Sequence, residues 1–312
     1  MKNKHILKIL MIPLLLTGLF GCNEHESGND NGSGETLYIV TTTGMIADAI
    51  SNIAREKAVV KAIMGPGVDP HLYKAVSGDL QLLRKADMVF YNGLHLEGKM
   101  GEVLEKMERD KPVIAISAGL TSDEHFMAPG QENTPDPHIW FDVSLWAQAV
   151  EYAGNMLQEY DTANAAFYKK NMEAYLKELR DLHEWTGEQI ASIPEGQRVL
   201  ITAHDAFEYF GRAYNIEVKG LQGISTVAEL GLQDRTHMVD FIYENDIKAI
   251  FVESSVPRQA IEAVQEGVEA RGKEVKIGGT LYSDAMGRAG TSEGTYIGMV
   301  QANVNTIVSA LK

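Results

Sequence analysis

Apolar and polar residues alternate along most of the chain in a pattern that predicts an α/β fold. From Thr36 onward, short runs rich in β-branched residues, which favour strands, are separated by amphipathic stretches with helical spacing. Four runs lie in the first half and four in the second: 37–42, 58–64, 87–92, 113–117, 198–203, 217–221, 249–253 and 275–281. Strands that alternate with helices form parallel sheets. We therefore expect two α/β lobes, each a central, mostly parallel sheet with flanking helices.

Between the two sets of strands, residues 161–193 have the pattern of one long helix. The segment has no proline and one glycine, Asp161 is placed to cap its start, and Pro194 follows its end. Apolar side chains recur at spacings of three and four and would pack against both lobes: Tyr168, Met172, Tyr175, Leu179 and Leu182. The predicted bounds are 36–160 for the amino-terminal lobe, 161–194 for the linking helix and 195–312 for the carboxy-terminal lobe.

The first residues predict export from the cytoplasm. Three lysines precede an apolar run at 9–20 that is too short to span a bilayer with its flanks. The run ends in Leu19-Phe20-Gly21-Cys22, the pattern of a bacterial lipoprotein cleavage site. We predict a lipoprotein signal peptide at 1–21 and lipidation of Cys22, which anchors the protein in the periplasm or on the outer face of the bacterial cell membrane. Because Cys22 is the only cysteine, no intrachain disulfide can form.

The segment 22–35 and the overall charge indicate which kinds of partner the protein binds. Residues 23–35 consist mainly of Asn, Gly, Ser, Asp and Glu, so we expect a disordered tether with a reach of roughly 20 Å. The chain has a formal net charge of -15, and removal of the signal peptide, which carries lysines and no acidic residue, makes it more negative. Nucleic acid is therefore excluded as a partner, whereas cations are compatible with this charge.

Two similar tripeptides, Asp69-Pro70-His71 and Asp136-Pro137-His138, carry candidate chemistry. In each, the aspartate is a suitable helix cap and the proline suits the first helical position, which puts the histidine in the first turn. A helix amino terminus disfavours imidazolium, so we expect both histidines to be neutral and able to bind a metal.

The second half supplies two more candidate donors at the ends of predicted strands. His204 follows the fifth strand and Asp284 follows the eighth. Ligands bind at the carboxyl ends of strands in open α/β sheets, so two residues from each lobe could meet in the cleft. Any one histidine alone is equally well explained as a cap or a core residue. Together, three imidazoles and one carboxylate suit a divalent transition metal.

Five other residues are candidates to support this site. Trp140 and Phe141 would exclude water from the cleft, and Asp142, Asp205 and Glu253 would accept hydrogen bonds from the ligands, although simple packing and helix capping explain them equally well. Of the remaining histidines, four are expected at the surface or in turns and one in an acidic loop: His25, His95, His183, His237 and His125.

Missing motifs exclude several enzyme classes. The chain has no Gly-x-x-x-x-Gly-Lys-Ser/Thr loop, so it is not an ATPase, and it has neither a His-Glu-x-x-His helix nor a Gly-x-Ser-x-Gly elbow. A binding protein would close the metal site with four protein ligands. Two alternatives remain, a metal-binding surface adhesin or interaction lipoprotein and a metallohydrolase, which would need an open position for water.

Over nearly all of the mature chain, these motifs resemble the metal-binding solute receptors of zinc and manganese ABC importers, the cluster A-I (cluster 9) family. The resemblance lies in five stretches: 41–45 (TTTGM), 65–71 (GPGVDPH), 136–142 (DPHIWFD), 204–207 (HDAF) and 281–285 (LYSDA).

The resemblance implies that His71, His138, His204 and Asp284 hold the metal between two lobes joined by a long helix. It also implies a monomeric, non-enzymatic receptor that delivers its ion to an ABC permease and its ATPase. Members with glutamate at the position of His204 are usually manganese receptors, so His204 favours zinc or dual zinc and manganese binding. The stretch 121–135 lacks the long His-rich loop of dedicated zinc receptors. Zinc is the expected ion, with manganese as the alternative.

Overall fold

The amino-terminal half contains a four-stranded parallel sheet. The computed structural model describes residues 36–125, 127, 134–227 and 231–312; the predicted signal peptide, the tether and Cys22 lie outside them. The sheet has the order β2-β1-β3-β4. Its strands are β1 (Leu37–Thr41), β2 (Ala58–Ala62), β3 (Met88–Tyr91) and β4 (Val113–Ala115). Three helices accompany it, α1 (Gly44–Ala54), α2 (Ser77–Lys85) and α3 (Gly101–Met107).

Two helices link this sheet to the second half. The first, α4 (Val143–Tyr160), begins at Asp142, whose Oδ1 accepts hydrogen bonds from Ser144 N at 2.9 Å and Leu145 N at 3.4 Å. The second, α5 (Ala165–Ala191), has 27 residues and is therefore about 40 Å long.

The predicted long helix is thus confirmed, but its start is not. Asp161 was expected to cap it, whereas Asp161 ends α4 and a short 3-10 helix, Thr162–Asn164, comes before α5. The Asp161 carboxylate instead accepts hydrogen bonds from Asn164 Nδ2 and from the Tyr168 hydroxyl. Asp161 thus stabilises the turn between α4 and α5 and does not cap α5.

The carboxy-terminal half is also parallel, but its strand ladders form two pairs where a single central sheet was expected. One pair is β5 (Val199–His204) with β6 (Glu217–Gln222), and the other is β7 (Ala249–Glu253) with β8 (Lys276–Leu281). The last residues of β5 and β7 lie side by side, because His204 N donates to Glu253 Oε1 at 2.8 Å. Helices α6 (Glu208–Tyr214), α7 (Leu232–Glu244), α8 (Gln259–Glu269) and α9 (Tyr296–Leu311) complete this half. All eight predicted strands are present, within two residues of their predicted bounds.

One apolar core runs through both halves. It includes Ile39 and Phe90 from the first sheet, the apolar face of α5, and Phe251 and Ile307 from the second half. All five residues of the predicted stripe on α5 are buried. Polar contacts reinforce the packing, since the Tyr175 hydroxyl on α5 donates to Asp48 on α1 at 3.2 Å. The halves are therefore held by shared packing along a stiff helix. Within the described residues, we find no helix with the length and apolar character needed to cross a membrane.

We expect Leu179→Ala to lower the free energy of unfolding by about 2–5 kcal/mol, because Leu179 is fully buried on α5 and its truncation leaves a cavity. Urea denaturation of the metal-free protein measures this. Lys177→Ala is the matched control on the same helix, since Lys177 makes an exposed ion pair with Asp181, and it should change the free energy by less than about 0.5 kcal/mol. Equal effects of the two substitutions would contradict the packing described here.

Candidate metal centre

Four buried side chains meet where both halves of the chain come together. His204 is the last residue of β5, and Asp284 comes three residues after the end of β8. His138 directly precedes a 3-10 helix, and His71 lies in the turns between β2 and α2. The exposed fraction is 4% for His71, 2% for Asp284 and 0% for the other two. The predicted convergence is therefore observed, two residues from each half.

The donor atoms have the spacing of a four-coordinate metal site. His71 Nε2 lies 3.3 Å from His138 Nε2, and Asp284 Oδ1 lies 3.5 Å from His138 Nε2 and 3.4 Å from His204 Nε2. One donor atom from each of the four residues lies within 4.8 Å of the other three. Four ligands placed about 2.1 Å from one ion at the corners of a tetrahedron lie about 3.4 Å apart. The arrangement thus fits an ion such as zinc with little adjustment.

Two of these donors also have no hydrogen-bond partner among the described protein atoms. Asp284 Oδ1 and His204 Nε2 are inaccessible to solvent and make no hydrogen bond. Buried polar atoms are normally satisfied, so a pair of unsatisfied atoms facing each other calls for a bound group. A cation between them satisfies both.

The two Asp-Pro-His tripeptides form the same local turn, although it is not the predicted one. Neither histidine lies in the first turn of an α-helix, because α2 begins only at Ser77 and α4 only at Val143. Instead, Asp69 Oδ1 accepts from His71 N at 2.8 Å, and Asp136 Oδ1 accepts from His138 N at 2.9 Å. The aspartates thus cap a tight turn that presents the histidine, and the expected effect of a helix dipole on these imidazoles does not apply.

Carboxylates behind two of the imidazoles orient their rings. His138 Nδ1 lies 2.6 Å from Asp136 Oδ1, and His204 Nδ1 lies 2.5 Å from Glu253 Oε2. A carboxylate that accepts from Nδ1 leaves the Nε2 lone pair free for a metal and makes the ring a stronger donor. Glu253 was predicted in this role. Asp136 was predicted only as a cap, although its position two residues before a candidate ligand was a usable signal.

Burial and nearby carboxylates shift the pKa values of His71 and His138 in opposite directions. Burial lowers the pKa of His71 to about 3, against the opposing charge of Asp284. Burial also acts to lower the pKa of His138, but the charge of Asp136, its hydrogen bond to the ring and the charge of Asp284 outweigh it and raise that pKa to about 9. The expectation of a neutral imidazole thus holds for His71 and is wrong for His138.

The other two donors form a charged pair. Burial alone would lower the pKa of His204, but Glu253 and Asp284 hold it well above its usual value. Burial likewise opposes ionisation of Asp284, yet the imidazoles of His204 and His138 hold its pKa well below its usual range. At neutral pH a divalent cation would therefore displace protons from His138 and His204 and meet an ionised carboxylate.

The remaining predicted residues have mixed outcomes. Trp140 packs against His138, with ring centroids 5.2 Å apart, and its Nε1 donates to Ser283 O at 3.0 Å, while Phe141 packs on Phe207. Asp142 caps α4 and does not contact a ligand, so its predicted supporting role is wrong.

Asp205 is buried but is not hydrogen-bonded to a candidate ligand ring. Burial and the neighbouring Glu208 raise its pKa to about 7. Of the other described histidines, His95 lies in a turn and His237 is exposed, both as predicted, whereas His183 is half-buried and contacts the Tyr214 hydroxyl. His25 lies outside the described residues.

We expect Glu253→Gln to weaken metal affinity about 10–100-fold, because the amide cannot replace the charged acceptor behind His204. Calorimetric titration of the metal-free protein with Zn²⁺ measures the change. Glu217→Gln on β6 is the control, since Glu217 pairs with Lys219 at the surface. An affinity within about threefold of wild type in Glu253→Gln would show that the carboxylate does not tune the imidazole.

The chain is similar to known proteins over most of its length. Residues 39–310 match the family model ZnuA, described as the periplasmic zinc-uptake complex component A. The manganese-binding lipoprotein MntA of Bacillus subtilis is 47% identical over 294 residues, which is 94% of this chain and 95% of that protein. The zinc-binding protein TroA of Treponema pallidum is 45% identical over 304 residues, 97% of this chain and 98% of that one.

Solved structures lead to the same family. The periplasmic zinc-binding protein TroA from Treponema pallidum has a TM-score of 0.87 and 47% identity, covering 89% of this chain and 99% of that chain. Fe(III)-bound YtgA from Chlamydia trachomatis has a TM-score of 0.80 and 27% identity, covering 88% and 98%. The predicted fold class is confirmed, as is the predicted class of function, a receptor and not an enzyme. The chain belongs to the ZnuA family, the periplasmic component A of zinc-uptake complexes.

Proposed function

We propose that this protein is the extracytoplasmic receptor of an ABC metal importer, which binds one divalent transition metal through His71, His138, His204 and Asp284. The observation that carries the proposal is the convergence of these four donors within 4.8 Å of one another in a buried site. Four protein donors complete a tetrahedral site, as expected where a metal is carried and not used in catalysis. The metallohydrolase alternative needs an open coordination position, which such a site does not provide.

Zinc is the cargo that the donor set favours. Three imidazoles and one carboxylate are typical zinc ligands, whereas manganese prefers oxygen ligands and a larger coordination number. Manganese is the second candidate because the relative MntA is named as a manganese-binding lipoprotein. Any site of this type binds zinc more tightly than manganese in vitro, so selection in the cell depends on geometry and availability. Elemental analysis of protein isolated from its native membrane distinguishes the two.

The partners follow from the importer role. This chain has no nucleotide-binding loop, so an ATPase and a permease have to supply energy and passage through the membrane. We propose that lipid on Cys22 keeps the receptor near that permease and that the receptor acts as a monomer. All four donors come from one chain, so a second copy is not needed to complete the site.

We expect His138→Ala and Asp284→Ala each to weaken Zn²⁺ binding by more than about 100-fold, because even changes behind metal ligands cost about 10–100-fold. Zn²⁺ should raise the melting temperature of the wild-type protein and should not raise that of either variant. Calorimetry and thermal unfolding measure the two effects. His237→Ala, at an exposed position on α7, is the control and should bind as wild type. Unchanged affinity in either test variant would remove that residue from the site.

We expect Cys22→Ser to release the protein from the membrane while metal affinity stays unchanged, because the substitution removes the acyl acceptor. Fractionation of cells that express each form, with metabolic labelling by a radioactive fatty acid, measures this. Label and membrane association that persist in Cys22→Ser would contradict lipidation at this residue.

A further inference from the structure

The three imidazoles of the metal centre are not held in the same way. His138 and His204 each have a carboxylate within 2.6 Å of Nδ1 and sit in the fully buried interior. In the described part of the chain, His71 has no such carboxylate, and its ring nitrogen Nε2 instead lies 3.3 Å from His138 Nε2. The position of His71 therefore depends on its backbone turn.

That turn depends on Asp69, whose two carboxylate oxygens accept hydrogen bonds from different parts of the chain. Its Oδ1 accepts from His71 N at 2.8 Å, and its Oδ2 accepts from the Thr226 hydroxyl at 2.7 Å. The equivalent residue Asp136 uses Oδ1 for both the backbone and the ring of His138. The same turn thus occurs twice. Among the described residues, the Asp69 side chain bonds to the other half of the chain, whereas Asp136 reaches that half through its backbone carbonyl, which accepts from the Tyr209 hydroxyl at 2.9 Å.

Thr226 belongs to the segment that follows β6 in the carboxy-terminal half. This segment is itself tied to the sheet, because Gln222 Nε2 at the end of β6 donates to Thr226 O at 2.9 Å. A second approach lies nearby. A Cβ on Gly67, which has φ 71°, would lie 3.5 Å from Ser254 O. Apart from the ring of His71 itself, the described part of this turn thus approaches the other half at Gly67 and at Asp69, and the bond between Thr226 and Asp69 is the polar contact.

We propose that the hydrogen bond from Thr226 to Asp69 is a latch that holds His71 at the metal centre, and that its opening sets the rate at which the ion leaves. The inference rests on the proposed function and concerns how that site releases its cargo. His204 ends a buried strand, so moving it disturbs the core. His71 lies in turns outside helices and strands, so moving it does not displace a strand.

The latch also lies where it can open without unpacking the interior. Asp69 and Thr226 are half-buried, and their neighbours Leu72 and Val227 are 49% and 50% exposed. Asp69 and Thr226 are thus positioning residues, which act on the ion through His71. Loss of the bond should accelerate dissociation more than it changes the encounter of the protein with the ion.

The test is stopped-flow dissociation of Zn²⁺ from the full folded domain into excess chelator. Thr226→Val keeps the shape of the side chain and removes the hydroxyl. We expect it to raise the dissociation rate constant about tenfold, as for the loss of one hydrogen bond to a charged group. The association rate constant should change by less than about twofold. Thr226→Ser keeps the hydroxyl and should restore the wild-type rate.

Two further variants serve as a control for the segment and as a replacement in case the valine variant does not fold. Ser225→Ala changes the same segment, since Ser225 contacts Val227 and does not touch Asp69, and it should dissociate like wild type. Thr226→Ala replaces Thr226→Val if the valine variant loses its thermal transition. A dissociation rate within about twofold of wild type in Thr226→Val overturns the latch, as does an equal rise in Ser225→Ala. Failure of both Thr226 variants to fold overturns it too, because the bond would then be a requirement of the fold.

The same measurements separate the latch from the proposed function. If the wild-type protein binds neither Zn²⁺ nor Mn²⁺ in calorimetry, the receptor proposal itself fails. If wild type binds and Thr226→Val releases the ion no faster, only the latch fails.

Discussion

Burial of a carboxylate against three imidazoles is the constraint on which the rest of the structure depends. Taking an ionised group out of water costs several kcal/mol even after relaxation, and a nearby opposite charge offsets this only with good geometry. Here Asp284 has an opposite charge on His204 and His138, and those two rings have carboxylates behind them, Glu253 and Asp136. The result is a shell of alternating charge around one point. A divalent cation at that point would bind Asp284 Oδ1 and His204 Nε2, which make no hydrogen bond and lie 3.4 Å apart.

Such a shell needs precise placement, and the fold provides it by joining both halves into one body. The long helix α5 buries its apolar stripe between α1 and the helices of the second half, and a single core continues across it. Two of the donors, His204 and Asp284, lie at or just after strand ends in that body. Trp140 ties the loop after His138 to Ser283, the neighbour of Asp284. Three of the candidate donors are thus fixed by the interior, which sets the distances between their ring and carboxylate atoms.

Strand positions and the convergence of four side chains could be predicted from the sequence, because strands follow from local patterns and the candidate residues stand out by type. Alternating β-branched runs located all eight strands, and a histidine or aspartate at or just beyond a strand end pointed to the cleft. The errors came from the direction in which a side chain points, which the local pattern does not contain. Asp161 has the chemistry of a helix cap, but its carboxylate bonds to the Tyr168 hydroxyl across a turn. The role of Asp136 behind His138 depends on a ring orientation, which a one-dimensional pattern does not contain.

The four donors are attached to the fold in different ways, and this difference explains how a protein can bind an ion tightly and still release it. A closed four-coordinate site releases its ion only when donors leave one after another, and the first to leave is the one whose movement costs least. Regions with few buried contacts open at the lowest free energy. His204 is part of β5 and His138 is held by the fully buried Asp136, whereas His71 stands on turns whose hold on the other half includes one hydrogen bond, from Thr226 to Asp69. Affinity and release therefore depend on different donors. The donors on buried strands and loops hold the ion, and the turn that carries His71 determines how readily the site opens.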